Sequence, residues 1–133
     1  MADSREIIVE LEALAARVVV ALSLAVTANL VSAPSEGGTP VAPGWARANW
    51  VPAIGSAFSG VTGSRESVSS AAQSAGQAAL VGYRLELGPV FVSNSVPYIL
   101  ALNDGHSKQA QPAFIERAIE KAVFVDLPRS FAA

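Results

Sequence analysis

The segment from about Ser4 to Ser32 constrains this chain most, because Ile7, Leu11, Leu14, Val18, Leu22 and Ala25 recur at three- and four-residue steps. That period belongs to a helix with one apolar stripe, and the stripe is expected to face a core. Asp3 can cap the helix, and Glu6, three residues on, places negative charge at the positive end of the macrodipole. The opposite side changes along its length, from Glu6, Glu10 and Arg17 to Val20, Leu24 and Val31. A second half that is apolar nearly all round must be covered on more than one side, either inside its own domain or by another copy.

The stretch Ala33 to Pro43 (APSEGGTPVAP) cannot continue the helix, since its prolines fix their own torsions and its glycines admit positive ones. The helix should therefore end near Ser32. Beyond it, Gly44 to Val51 reads as a turn or short helix leading into a strand near Trp50 to Ile54, and Gly55 to Gly63 as a loop or hairpin tip. Ser64 to Val81 carries Val68, Ala72, Ala75, Ala79 and Leu80 at helical spacing, which predicts a weakly amphipathic helix interrupted by Gly76. Tyr83 to Leu87 and Pro89 to Ser93 read as strands around Gly88-Pro89 that either form a hairpin or abut a helix end. Pro112 to Val125 predicts a closing helix with Ile115, Ile119, Ala122 and Val123 inward and Glu116, Arg117, Glu120 and Lys121 outward. The expected fold is α+β: a long N-terminal helix, a small, mainly antiparallel sheet and a C-terminal helix, in a single domain over 1–133.

Composition bears on what surrounds such a fold. Hydrophobic residues make up 51% and charged residues only 15% of the chain, well below the roughly 25% charged residues usual in soluble domains. Part of the apolar surface is thus expected to meet neighbouring subunits. A membrane is the rival explanation for a mean hydropathy of +0.40, with Val18 to Val31 as the anchor. The most apolar window, Val18 to Val26, falls short of the roughly 20 apolar residues that span a bilayer. A secretory leader with its cleavage site at Val31-Ser32-Ala33 would want a basic start, whereas Asp3, Glu6, Glu10 and Glu12 outweigh Arg5 and Arg17.

Chemistry finds little footing. The chain has no cysteine and one histidine, which leaves no thiolate metal site and no disulfide framework. His106 lies beside Asp104, Ser107 and Lys108, yet sequence neighbours on one turn do not converge as a nucleophile, base and orienter must. The glycines lack the strand, loop and helix of a phosphate cradle. Trp45 and Trp50 flank Arg47 as a stacking platform would, but a net charge of −2 provides no general attraction for nucleic acid. Core or interface is the reading for the two tryptophans. No catalytic residue, cofactor or metal is expected.

Two motifs resemble those of proteins that complete the tails of long-tailed bacteriophages, the tail-completion or head-tail joining (neck) family. One is Thr39-Pro40-Val41-Ala42-Pro43-Gly44-Trp45-Ala46-Arg47-Ala48-Asn49-Trp50; the other is Ser93-Asn94-Ser95-Val96-Pro97-Tyr98 followed by Leu102-Asn103-Asp104-Gly105-His106-Ser107-Lys108-Gln109-Ala110. Their order, their separation and the preceding helix are similar too. Ala42-Pro43 stand where that family has Asp-Thr, and the proline after Ala110 is displaced by one position. The resemblance implies a virion structural subunit, made in the host cytoplasm, that forms a homo-oligomeric ring, commonly a hexamer. Such a ring completes or terminates the tail tube and meets the tail-tube protein and the head connector, and DNA passes through its lumen without specific binding. Trp45, Arg47, Asn49, Trp50, Asn94, Pro97, Tyr98, Asn103, Ser107 and Gln109 are then expected at or near subunit contacts. Another tail component, such as a tail-tube or minor tail protein, is the neighbouring alternative.

Overall fold

In a computed structural model, which describes residues 3–40, 44–105 and 112–132, the chain is α+β. The first helix, α1, runs over Ser4–Val31, and the Asp3 carboxylate caps it by accepting from Glu6 N at 2.9 Å. It ends at Ser32, and the chain turns back through a 3-10 turn at Pro34–Glu36 so that Thr39 N donates to Leu30 O at 2.9 Å. The return depends on Gly38, where a Cβ would fall 1.7 Å from Ser32 O. A short helix α2 (Trp45–Ala48) then leads into strand β1 (Val51–Ile54), which pairs antiparallel with β2 (Val90–Ser93), Val51 opposite Ser93 and Ile54 opposite Val90. Helix α3 (Ala71–Ala79) lies on β1. After β2 come α4 (Ile99–Asn103) and α5 (Phe114–Lys121), a π-helical turn (Ala122–Asp126) and α6 (Leu127–Ser130).

The core joins the end of α1 to both motif segments: Leu30, Ala46, Trp50, Val96, Ile99, Phe114 and Ala118 are buried together, with Val26, Trp45, Val92, Tyr98, Leu102 and Ile115 against them. Asn29 ties α1 to the C-terminal helices. Its Nδ2 donates to Ala118 O (3.1 Å) and Asp126 Oδ2 (2.8 Å), and its Oδ1 accepts from Lys121 Nζ at 3.1 Å. The second half of α1 is accordingly covered on two sides, by the sheet layer and by the C-terminal helices.

Four expectations are corrected. The stripe Ile7, Leu11 and Leu14 faces outward, while the face of α1 that enters the core carries Ala16, Ser23, Thr27 and Leu30. Ser64 to Ser70 is not helical, because serine hydroxyls take the local amides: Ser64 Oγ accepts from Ser67 N and Ser69 Oγ from Ala71 N. Tyr83 to Leu87 forms no strand, since Leu87 N and Gly88 N close a 3-10 turn onto Arg84 O and Leu85 O. In the last helix Phe114, Ala118 and Ala122 are buried, whereas Ile119 and Val123 are exposed. That helix starts at Phe114, because Ala113 holds a left-handed conformation (φ 66°).

Candidate subunit interface

Three asparagines organise the two motifs. Asn49, only 1% exposed at the end of α2, accepts from Thr62 N at 2.7 Å and donates to Trp45 O (2.8 Å) and Thr62 O (3.1 Å). It is a staple between α2 and the loop after β1. Asn94 closes an Asx turn by accepting from Val96 N at 3.0 Å, and its Nδ2 reaches back 48 residues to donate to Ala46 O at 2.7 Å. Asn103 serves α5 as a remote cap: its Oδ1 accepts from Ile115 N (2.9 Å), one of the amides a helix start leaves open, while its carbonyl accepts from Ala113 N (2.7 Å). Its Nδ2 also donates to both oxygens of the Glu116 carboxylate at 3.0 and 3.1 Å.

The aromatic residues divide between inside and surface. Trp50 is buried, and its Nε1 donates to Thr39 Oγ1 at 2.7 Å, so the two ends of the first motif are locked together within the subunit. Trp45 and Tyr98 are half-buried, one from each motif, with ring centroids 5.9 Å apart and tilted by 56°. The Arg65 guanidinium lies 4.7 Å from the Tyr98 centroid, a cation–π contact across the outer face of the layer. Pro97 and Leu100 are exposed beside it, and Arg47 is half-buried, its carbonyl accepting from Gln73 Nε2 at 3.2 Å.

Of the residues singled out from sequence, Trp45, Asn49, Trp50, Asn94 and Tyr98 converge on one layer, and Asn103 braces the adjoining α5. Ser107 and Gln109, like His106, lie outside the described residues. Asn49 and Trp50 are covered by their own chain, so they can shape a contact but contribute almost no area to it. Sequence reading missed Thr62 and Arg65. Only the polar demand of a buried Asn49 and two tryptophan N–H groups signalled that a loop must return to satisfy them. Among the described residues no group of acidic residues or histidine is placed to hold a metal ion, and no helix is long and apolar enough to cross a membrane. Comparisons with protein families, with curated proteins and with solved structures found no match.

Proposed function

We propose that this protein is a structural subunit of a bacteriophage neck, a member of a homo-oligomeric ring that completes the tail tube and joins it to the head connector. The observation that carries the reading is how the two motifs behind the resemblance spend their side chains. Asn49, Asn94, Asn103, Trp45 and Trp50 all direct their polar atoms into bonds within the chain. What faces outward is a layer of Pro97, Leu100, Tyr98 and Arg65. A braced, weakly charged surface of this kind suits assembly. A closed ring needs a heterologous contact, one patch docking on a different patch of the next copy. The acidic balance of the chain, net −2, suits a lumen that lets DNA pass without gripping phosphates.

Negative-stain images of tails assembled without this protein test the proposal. Over-long, headless tubes support termination, and tubes of normal length that fail to join heads support joining. Complete, infectious particles lacking the protein refute both.

A further inference from the structure

The outward face of α1 carries the inference. Ile7 (46% exposed), Ile8 (54%), Leu11 (59%) and Leu14 (40%) stand in the first half of the helix. At about 100° per residue, Ile7, Leu11, Leu14 and Val18 fall within a strip roughly 60° wide. Their spacing of four, three and four residues is that of a coiled-coil seam. The face that α1 turns toward its own core is almost opposite. An open groove of about 990 Å³, with Ala13, Ala16 and Val20 on its α1 wall and Leu80 and Leu85 across from them, borders the seam at Arg17 but takes in none of the strip's apolar residues.

The charges beside the strip select what can cover it. Glu10 and Arg17 flank the same edge of the seam seven residues apart, and among the described residues neither makes an ion pair within the subunit. In a parallel pair each would face Ala15 or Leu22 of the other helix, at the opposite flank. In an antiparallel pair with Leu11 over Leu14 and Ile7 over Val18, each Glu10 meets an Arg17 on one flank while Ile8 covers Ala15 on the other. One register therefore satisfies four apolar layers and both charge pairs.

We propose that two copies of this chain associate through the amino-terminal halves of α1 as an antiparallel two-helix coiled coil, its two-fold axis passing between residues 12 and 13. The contact is isologous and closes at two. It is distinct from the head-to-tail contact of a ring and stands or falls independently of the tail reading.

The experiment is size-exclusion chromatography with light scattering on the full chain and its variants, each checked for unchanged circular dichroism. The wild type is expected to run as a dimer whose association weakens with rising salt. Glu10→Arg and Arg17→Glu should each raise Kd about tenfold, since each replaces two attractive pairs by two repulsive ones. The combined variant Glu10→Arg/Arg17→Glu should return to the wild-type affinity. Because the chain has no cysteine, mild oxidation of a mixture of Leu11→Cys and Leu14→Cys chains should join the two different variants. A disulfide formed by Leu14→Cys alone means parallel helices and overturns the proposal. So does a monomeric wild type at about 100 μM, well above a micromolar Kd. So does association indifferent to both charge reversals but abolished by Ala16→Trp in the groove, which would make the contact head-to-tail.

Discussion

Asn49→Ala tests whether the motif layer is held by the staple described above. The substitution removes the side-chain partner of Trp45 O and of Thr62 N, at 2.8 and 2.7 Å. Thr62 O keeps the Trp45 Nε1 donor at 3.1 Å, and Thr62 Oγ1 keeps Ser69 O at 2.9 Å. Two main-chain groups are thus orphaned at a site where the lost side chain is 1% exposed. At about 1–1.5 kcal/mol each, the cost is about 2–3 kcal/mol, or a Tm lowered by roughly 10 °C for a chain of this size. Trp45→Phe should cost less through hydrogen bonding, because Thr62 O retains Asn49 Nδ2. In the double variant Thr62 O loses both donors, so the combined loss should exceed the sum by about 1 kcal/mol. Urea unfolding followed by tryptophan fluorescence, with Trp50 present throughout, measures all three. A loss below about 0.5 kcal/mol for Asn49→Ala, or strict additivity in the double variant, would refute the staple, since either result means water replaces these bonds at no cost.

Three further substitutions have signs that ordinary propensity does not give. Gly76→Ala, in the middle of α3, should gain about 1 kcal/mol from helix propensity alone, but its Cβ would sit 2.2 Å from Pro52 O; thermal melts should show a net loss of about 1–3 kcal/mol. Ala113→Gly should stabilise by about 0.5–1 kcal/mol, because Ala113 is held at φ 66° where glycine carries no Cβ penalty; a lowered midpoint in urea would contradict that conformation. Asn29→Ala removes the bonds to Ala118, Asp126 and Lys121 and should cost about 2 kcal/mol, with amide exchange accelerated in α5 and α6 before the sheet.

Those positions also mark where sequence reasoning reaches and where it stops. The start of α1 was legible because Asp3 and Glu6 are a local signal, and its end because Pro34 and the glycines after it are. The outward set Glu116, Arg117, Glu120 and Lys121 was legible because charge stays in water. The apparent strand at Tyr83 to Leu87 was not. Leu85 and Leu87 alternate as strand residues do, but Gly82 and Gly88 confine them to a span too short to find a ladder, and Tyr83 is held instead by its hydroxyl on Gly88 O at 2.6 Å. The partners of the motif asparagines were invisible for a related reason: a hydrogen bond from Asn94 to Ala46 across 48 residues leaves no periodic trace.

The reversed face of α1 is the most informative of these differences. A helix that packed its best apolar stripe inward would place Ile7, Leu11 and Leu14 against the sheet and leave Ser23 and Thr27 in solvent. The subunit does the opposite, since Ser23 and Thr27 can be buried cheaply: each hydroxyl donates to a carbonyl one turn back, at 2.7 and 2.8 Å, so neither brings an unpaired polar atom into the core. Their small size also lets Trp50, Val96 and Phe114 crowd around Leu30 at the far end of the helix. Intrachain packing therefore consumes the face with small residues and leaves the face with large ones about half in water, at roughly 0.7–1.5 kcal/mol of unrealised burial for each such side chain. Three partners hold α1 at Asn29 in this orientation, and the described residues leave that surplus uncovered. The proposed pairing with a second copy of the same helix would recover it, and the placement of Glu10 and Arg17 along the seam matches that partner.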